Sequence, residues 1–554
     1  MTGTSPPVSQ MPASAAGSAW SPFRHRAFAL MWTATLISSI GTWMHDVGAG
    51  WLMTTLNPSP AIVSLVQAAT TAPIFLFALF AGALADRVDK RRLLLTVSLA
   101  LTGITGSMAM LTAAGVMTPA LLLAFTFAIG TGAALMAPAW QSIVPTLVPR
   151  ESLQPAIALN SMGVNISRAI GPAIAGFLIS AVALSAPFVV NAVSFLAIVA
   201  ALLLWKPETG AARTLPPEPL IGAMATGLRH ASHNSALKAT LLRSFGFFTF
   251  ASAYWALLPL VARGLDGGSA EVYGVLLTAI GGGAVAGALA LPSIRQRVDV
   301  NRLVAAGTLI TAASIALLGL ATSAVMALPA AVLGGVGWIA VLTSLNVSAQ
   351  TALPDWVRAR GLAITLMVFF GCMSVGAAGW GQVATATSVP TALLIAAAGA
   401  VLAIPLTWRA KLGQGEAIDF TPAMSWPEPV VSEEMDAAHD RGPVLVTIRY
   451  RIDAGDTEAF LFAMHELAGE RYRDGAHHWG VYQDAADPAA WIEWFFLPSW
   501  AEHLRQHDRA TKHDRDIQGR TLQFHRGAEP PKVSHFLAPL KSPQIVANTK
   551  GGAP

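Results

Sequence analysis

Long apolar runs, separated by short polar segments, dominate the first 411 residues of the chain. Each run is roughly 20 residues long, which is enough for an α-helix to cross the hydrocarbon core of a bilayer. The pattern therefore predicts twelve membrane-spanning helices. We place the spans at residues 27–52, 61–85, 93–114, 119–141, 157–180, 185–205, 239–262, 272–292, 302–322, 326–349, 361–384 and 389–408.

Basic residues fall almost entirely in alternate loops between these spans. One set of loops carries the clusters around Arg24, Arg91, Arg229, Arg297 and Arg409, whereas the other set carries only Arg263. Loops rich in Lys and Arg stay on the cytoplasmic side of a membrane. The asymmetry predicts that both termini are cytoplasmic.

The two halves of the apolar region repeat each other. At an offset of 205 residues Gly130, Gly132, Gly171 and Gly176 match Gly335, Gly337, Gly376 and Gly381. At an offset of 210 residues Arg87-Val-Asp89-x-x-Arg92-Leu93 matches Arg297-Val-Asp299-x-x-Arg302-Leu303. Two related six-helix halves are typical of a transporter with a central site that opens to alternate sides.

The polar segments suggest how the chain divides. Residues 207–238 form a linker, in which Leu220–His233 is either an amphipathic helix on the membrane surface or a helical patch in a flexible tether. Beyond the last span the order strand, helix, strand, strand, helix, strand predicts a small ferredoxin-like α+β domain. Its elements are Val444–Ile452, Thr457–Arg473, His478–Asp484, Ala490–Leu497, a helix capped by Ser499 that runs to about Phe524, and Val533–Ala538.

The predicted architecture is an all-α polytopic membrane protein, with twelve helices in two six-helix pseudo-repeats, plus a C-terminal α+β domain. The segments are a disordered tail (1–22), the first bundle (23–206), the linker (207–238), the second bundle (239–411), a linker (412–442), the soluble domain (443–540) and a disordered tail (541–554).

Composition excludes several classes of protein. The chain has 554 residues, of which 54% are hydrophobic and only 12% charged, so it is not a soluble globular protein. The net charge of +4 is small, and the basic residues follow the loops, which excludes nucleic acid as a partner. The single cysteine, Cys372, excludes an internal disulfide and a cysteine metal cluster. The sequence has no phosphate-binding glycine loop for ATP.

A dense charge cluster follows the second span. Gly82, Asp86, Arg87 and Arg91 lie in Gly82-Ala-Leu-Ala-Asp86-Arg87-Val-Asp89-Lys-Arg91-Arg92, which resembles the signature loop of the major facilitator superfamily. Asp89 stands where that family usually has a second glycine. The resemblance implies a conformational latch made by Gly82, Asp86, Arg87 and Arg91, and the alternative is a basic loop that only sets topology.

Further stretches resemble the transmembrane secretion effector branch of that superfamily, which includes enterobactin-exporter-like proteins. The resemblance runs from about Phe23 to about Leu540 and implies export of siderophores, drugs or other small molecules across a bacterial inner membrane. It also implies proton antiport and no cofactor. It is carried by Ser39–Trp43, Gly82–Arg92, Val148–Leu153, Leu159–Ser161, Gly171–Gly176 and Glu502–His507.

The fifth span is similar to the superfamily's antiporter motif. Gly163, Gly171 and Pro172 are in register with it, and the motif's final glycine pair falls on Ala175 and Gly176. Small residues let two helices approach closely, which suits a place where two halves rock against each other. Ordinary packing of membrane helices is the alternative.

Charged residues inside the spans are candidates for substrate and proton binding. Asp46 lies three residues after Trp43, so the two share a helix face. Asp46 either carries the coupling proton or reaches periplasmic water. Arg168 either binds an anionic substrate or supports packing near the cytoplasmic end. The fourth span lacks the arginine motif that many exporters of the superfamily carry.

Aromatic residues of the seventh span, Tyr254 and Trp255 among them, could stack on an aromatic substrate, face lipid or fill the core. In the tail, His503 and His507 have the spacing of metal ligands, but three neighbouring basic residues favour a solvated helix, and we predict no metal site. We expect the tail to serve in dimerisation or regulation. The leading hypothesis is a proton-coupled exporter, not an enzyme. The alternative is a membrane-anchored sensor or enzyme in which the tail is the active part.

Overall fold

The computed structural model describes residues 20–205, 220–413, 419–421 and 441–538. The chain forms two compact units. The first comprises residues 1–215, 245–342 and 366–406, and the second comprises residues 216–244, 343–365 and 407–554. Residues 1–19 of the predicted N-terminal tail (1–22), the predicted C-terminal tail (541–554) and parts of both predicted linkers lie outside the described residues.

Six long helices form the first half of the bundle. Pro60 and Pro119 occupy the first turns of the second and fourth helices, where proline's missing N–H is not needed. The helices are α1 (Arg26–Leu56), α2 (Pro60–Arg87), α3 (Lys90–Ala113), α4 (Pro119–Ile143), α5 (Leu153–Ala181) and α6 (Ala186–Leu204).

The second half repeats this arrangement after a short linker helix, α7 (Leu220–His233), which coincides with the predicted segment. The remaining helices are α8 (Ser235–Gly264), α9 (Ala270–Arg295), α10 (Val300–Leu320), α11 (Ala324–Thr351), α12 (Asp355–Ala386) and α13 (Val389–Thr407). Within the described residues, 12 helices are long and apolar enough to cross a membrane, which confirms the predicted fold class.

The sequence repeat has a structural counterpart. Asp89 caps the start of α3 by accepting a hydrogen bond from the backbone N–H of Arg92 (2.7 Å), and Asp299 caps α10 by accepting one from Asn301 (2.8 Å). Gly130 packs α4 against α2, and its counterpart Gly335 packs α11 against α9. The matching residues therefore make matching contacts in the two halves.

The C-terminal domain consists of β1 (Val444–Arg451), α14 (Thr457–Asp474), β2 (His478–Gln483), β3 (Ala490–Leu497), α15 (Trp500–Arg509), α16 (Lys512–Leu522) and β4 (Lys532–Leu537). Its antiparallel sheet has the order β2-β3-β1-β4, as expected for a ferredoxin-like unit. The helices pack on one face of the sheet, around Phe460, Met464, Phe495 and Trp500.

The single helix predicted from Ser499 to about Phe524 is wrong. Ser499 does cap a helix, since its hydroxyl accepts a hydrogen bond from the backbone N–H of Glu502 (3.2 Å). However, that helix ends at Arg509, and Thr511 begins a second one. The side chains of Thr511 and Asp514 form a reciprocal capping box, which favours a new helix start over continuation of the first.

Candidate functional site

Small residues hold the two halves of the bundle together where α5 meets α9. A Cβ placed on Gly176 would lie 2.9 Å from the carbonyl oxygen of Ala270 and 3.2 Å from the Cα of Gly274. A Cβ placed on Gly274 would lie 2.6 Å from the carbonyl oxygen of Pro172. Only glycine allows this approach, and we term this contact the α5–α9 seal.

A second contact, the α2–α12 seal, is its counterpart. The backbone N–H of Ala61 donates to Oγ1 of Thr385 (3.0 Å), and Oγ of Ser374 donates to the carbonyl oxygen of Ala68 (3.2 Å). Gly381 fits against Ser64 of α2. Because Gly176 and Gly381 are repeat partners, the two seals are related by the internal repeat.

A third contact closes the same end of the bundle, where α1 ends and α2 begins. A Cβ on Gly50 of α1 would lie 3.1 Å from the hydroxyl of Tyr273 and 3.4 Å from Cγ of Pro259. Arg263, at the end of α8, donates from Nη1 to the carbonyl oxygen of Thr54. The two halves are therefore in contact at this end, which we term the sealed end.

Towards the opposite end, the same face of α5 becomes polar and accessible. Gln154, Ser161, Asn165 and Arg168 recur at intervals of three, four or seven residues, which places them on the face that continues to Pro172 and Gly176. Gln154 and Ser161 are exposed, and Asn165 and Arg168 are partly exposed. Polar side chains in a membrane helix line water or protein rather than lipid. This face is accessible from Gln154 to Arg168 and packed against α9 at Gly176, and we term the space that it borders the cleft.

Arg168 and Trp43 meet at the narrow end of the cleft. The guanidinium carbon of Arg168 lies 5.4 Å from the centroid of the Trp43 ring, within range of a cation–π interaction. Gly171 makes this possible, because a Cβ there would lie 2.6 Å from the Cβ of Trp43. Nε of Arg168 is buried without a hydrogen-bond acceptor among the described residues. The guanidinium thus keeps donor capacity for a ligand.

Asp46 follows Trp43 by one turn on α1 and is partly exposed. No ion pair joins it to Arg168 in the part of the chain that the structure describes. The hydroxyl of Tyr273, by contrast, lies against Gly50, one turn further along the same face. Two of the separately predicted candidates, Trp43 and Arg168, are thus brought together, and the structure adds Tyr273, which sequence reasoning missed.

The second half contributes an aromatic cluster, formed by Phe248, Trp255, Trp338 and Phe369. Ring centroids are 5.3 Å apart for Trp255 and Trp338, and 4.5 Å apart for Phe248 and Phe369. Trp255 belongs to the predicted candidates, whereas Trp338 and Phe369 come from α11 and α12 and were missed. Tyr254 is buried, and its hydroxyl faces the carbonyl oxygen of Ala331 (3.4 Å).

Of the signature loop, the structure describes the surroundings of Gly82 and Arg91. Arg91 donates to the carbonyl oxygens of Leu202 (2.7 Å) and Leu203 (3.1 Å), so it caps the end of α6. No described atom lies within 4 Å of a Cβ placed on Gly82. The side chains of Asp86 and Arg87 lie outside the described residues.

The remaining member of the predicted motif in α5, Gly163, faces α1 next to the Trp32 ring, since a Cβ placed on it would lie 3.5 Å from Nε1 of Trp32. The motif therefore has two faces. Gly163 and Gly171 pack on α1, and Pro172 and Gly176 pack on α9. One helix thereby connects the Trp43–Arg168 pair with the contact between the halves.

The soluble domain has buried charges but no cluster of metal ligands among the described residues. Nε2 of His503 and His507 are 3.3 Å apart, and neighbouring Glu502 is engaged by Arg509 (2.5 Å). Glu493 is fully buried and accepts hydrogen bonds from Arg471 Nε (2.9 Å), the Tyr450 hydroxyl (3.0 Å) and Trp479 Nε1 (3.1 Å). With its acceptors satisfied, Glu493 has a structural role.

Acidic side chains on α14 are less well compensated. Burial, and next the charge of Asp514, raises the pKa of Glu470 to about 9. This happens although Arg473 forms ion pairs with Glu470 (2.9 Å) and with Asp514 (2.6 Å). Burial, again followed by Asp514, raises the pKa of Asp474 to about 7. Burial and the charge of Asp514 thus both favour the protonated forms of Glu470 and Asp474.

The fold is that of a polytopic membrane protein built from two six-helix halves. The sequence pattern of the transmembrane secretion effector family matches residues 17–544. The chain therefore belongs to this family and is a transporter of the major facilitator type rather than an enzyme. As a multi-pass protein of the bilayer it carries a small-molecule substrate.

Two curated relatives are siderophore transporters by name. The chain is 27% identical to the staphyloferrin A transporter of Staphylococcus aureus over 269 residues, which are 47% of this chain and 66% of the relative. It is 26% identical to the enterobactin exporter EntS of Shigella boydii over 349 residues, which are 61% of this chain and 80% of the relative.

A solved structure supports the fold alone. It is a bacterial homologue of the human lysosomal transporter Spinster, with a TM-score of 0.57 and 15% identity. The match covers 70% of this chain and 97% of that chain.

Proposed function

We propose that the protein exports a siderophore-like small molecule from the cytoplasm by proton-coupled alternating access. The observation that carries the proposal is the face of α5, which is polar and accessible in its first half and sealed against α9 in its second. A cleft open at one end and closed by small residues at the other is one of the two states that alternating access requires.

The open end faces the cytoplasm in this proposal, and both termini lie on that side of a bacterial inner membrane. Arg91, Arg92 and Arg150 lie at the open end, whereas the sealed end carries Arg263. The positive-inside rule supports this orientation. The described state would then be the one that receives substrate from the cell interior.

The chemistry at the narrow end of the cleft supports an anionic ligand with flat groups. Arg168 supplies a positive charge, and its guanidinium presents planar donors that match carboxylates and other oxyanions. Trp43 and the two partly exposed members of the aromatic cluster, Trp255 and Phe369, supply rings for stacking. The names of the two curated relatives support a siderophore as the substrate class, and a drug-like anion is the other candidate.

Asp46 is the proposed proton carrier. It is the acidic residue nearest the Arg168–Trp43 pair along α1, and no described basic residue neutralises it. A carboxylate without a counter-ion in a membrane protein is a proton-binding candidate. The hydroxyl of Tyr273, from α9, lies against Gly50, one turn beyond Asp46 along α1.

Uptake into everted membrane vesicles tests this function. The panel comprises a catecholate siderophore, a carboxylate siderophore and an aromatic acid, each with and without a protonophore. We expect uptake that the protonophore abolishes and that Asp46→Asn uncouples from the pH gradient. Unchanged pH-driven uptake by Asp46→Asn would remove Asp46 from the mechanism, and uptake insensitive to the protonophore would refute proton coupling.

We also propose that the C-terminal domain pairs with a second copy of itself through the face of its sheet that its helices leave uncovered. Tyr482 and Phe536 are 60% and 54% exposed on this face, and Tyr482 stacks on Trp494. Light scattering of the full chain in detergent should show a dimer that Phe536→Ser weakens. A monomer at micromolar concentration would refute this role. The alternative of a tail that is itself the active part is not favoured, because the chain is a transporter.

A further inference from the structure

Two histidines of the C-terminal domain lie one turn apart on α15. Nε2 of His503 is 3.3 Å from Nε2 of His507, and the two ring planes are at 89°. A zinc ion binds imidazole nitrogen at about 2.0–2.1 Å, so two nitrogens that share a tetrahedral ion lie roughly 3.3–3.4 Å apart. The separation of the two Nε2 atoms therefore fits a shared metal ion.

The surroundings of the pair suit an ion at the edge of the domain. His503 is buried and His507 is partly exposed, so the pair can be approached from the side of His507. A third imidazole, that of His535 on β4, lies beside His503, with ring centroids 4.6 Å apart. The described side chains do not form a set of three ligands. The pair thus supplies two bonds and leaves the other coordination positions to water.

Polar atoms on the buried face of α15 lack partners among the described residues. They are Nδ1 of His503 and both polar side-chain atoms of Gln506, and the two side chains are buried. Such atoms are rare in folded proteins, and an ion is one of the reasons for them. An ion on Nε2 of His503 would fix the proton on Nδ1. The amide oxygen of Gln506, one turn further on the same face, is then the acceptor that metal-bound histidines usually have.

Charges near the pair are largely compensated. The sequence indicated that Arg505, Arg509 and Lys512 would repel a cation. In the structure Glu502 pairs with both arginines (3.4 and 2.5 Å), and Asp419 pairs with Lys512 (3.3 Å). The two carboxylates therefore offset most of the repulsion that the sequence indicated.

We propose that His503 and His507 bind a divalent transition-metal ion of the kind that prefers imidazole ligands, such as Zn²⁺, Ni²⁺ or Cu²⁺. Because both ligands lie on α15, the ion joins two consecutive turns of a helix of only 10 residues. The C-terminal domain thereby gains a site at which a metal ion stabilises α15. Mg²⁺ prefers oxygen ligands and does not bind there.

Titration calorimetry of the full chain in detergent, after removal of any purification tag, tests the proposal with ZnCl₂ as the probe. We expect His507→Gln to bind Zn²⁺ more weakly than the parent by at least about 10-fold, since even residues that only support a metal ligand contribute this much. His503→Gln should weaken binding likewise, and MgCl₂ should give no binding heat. Thermal unfolding without metal checks the folding of each variant. If His503→Gln unfolds, the partly exposed His507 decides the test.

His465→Gln is the matched control, because His465 is an exposed histidine on α14 of the same domain. It should bind Zn²⁺ as the parent does. Equal affinity of the parent and His507→Gln would overturn the proposal. A parent that binds no Zn²⁺ would also overturn it, since the contact between the two rings would then be a hydrogen bond only.

Electron paramagnetic resonance of the Cu²⁺-loaded protein locates the ion independently. The parent should show hyperfine coupling to two imidazole nitrogens, and His507→Gln should lose one of them. Unchanged coupling in His507→Gln would place the ion elsewhere and overturn the proposal. Neither measurement needs a transported substrate, so its result does not depend on the proposed export.

Discussion

At the scale of single residues, the cleft contains one arginine, Arg168, which packs against Trp43 and has no acidic partner among the described residues. Arg168 is positioned by the close packing of Gly171 on α1 and by the face of Trp43. A cation–π contact stabilises the guanidinium without using its hydrogen-bond donors. In the proposed function, the donors that remain recognise an anionic substrate.

We predict that Arg168→Gln weakens binding of an anionic substrate roughly 10- to 100-fold, the loss expected for a hydrogen bond to a charged group. The dissociation constant can be measured by tryptophan fluorescence on purified protein with the siderophore that shows uptake. Arg168→Lys serves as the control, since it keeps the charge and loses the planar donors. Equal binding by all three proteins would show that Arg168 serves packing only.

Individual residues also show where sequence reasoning stops. Trp43 and Asp46 could be assigned to one face because their spacing on a helix is fixed, and Arg168 stood out as a charge inside a span. Trp338 and Phe369 could not be found in this way. Trp338 meets Trp255, and Phe369 meets Phe248 and Trp338, across three helices, and no local spacing encodes those contacts.

At the scale of elements, a single face of α5 is polar and accessible in its first half and packs against α9 in its second half. The small residues Pro172 and Gly176 allow backbone contact with α9, and such contacts replace the hydrophobic driving force that membrane helices lack. The motif was visible in the sequence as a packing helix. The partner helix, α9, could not be identified from the sequence. Gly274 and Gly281, which contact α5, are two of several glycines in α9, and nothing in the sequence distinguishes them.

We predict that Gly176→Val opens the sealed end. The added side chain must displace the backbone of α9, and overpacking of this kind costs about 1–3 kcal/mol. Spin labels at two exposed positions of this end, Thr55→Cys in the first half and Thr322→Cys in the second, can report the opening in protein carrying Cys372→Ser. The distance distribution between the labels should shift to longer values.

Gly379→Val provides the matched control on α12, since no described atom lies within 4 Å of a Cβ at Gly379. It should leave the distances of the parent protein unchanged. If Gly176→Val also leaves them unchanged, the α5–α9 seal does not hold the sealed end together.

The soluble domain illustrates the limit of periodicity at this scale. All four strands and α14 were predicted to within about two residues, because alternation and helix caps are local signals. The helix after Ser499 was predicted as one element that continues to about Phe524. The capping box of Thr511 and Asp514 competes with that continuation and begins α16 instead.

At the scale of the whole molecule, duplication explains why two seals form together. Gly176 and Gly381 are repeat partners, and each packs a helix of its own half against a helix of the other half. Under the proposed alternating access, a change of access must break both contacts, because each joins the same two halves. Linking either seal covalently should therefore stop the cycle.

We predict that a disulfide between Ala61→Cys and Thr385→Cys, in protein carrying Cys372→Ser, abolishes uptake into everted vesicles. The backbone N–H of Ala61 already donates to the Thr385 side chain, so the two positions are adjacent. Reduction should restore uptake to the level of the reduced parent. The open end remains accessible in the linked protein, so substrate binding from the cytoplasmic side should survive.

A disulfide between Asp266→Cys and Ser323→Cys is the control, because these residues form a β-bridge within the second half. It links two loops of a half that moves as one body, so uptake should continue at the parental rate. Full uptake by the linked Ala61–Thr385 pair would mean that the halves do not separate at this end, and alternating access through this cleft would be refuted. Loss of uptake with both disulfides would instead place the essential movement inside the second half.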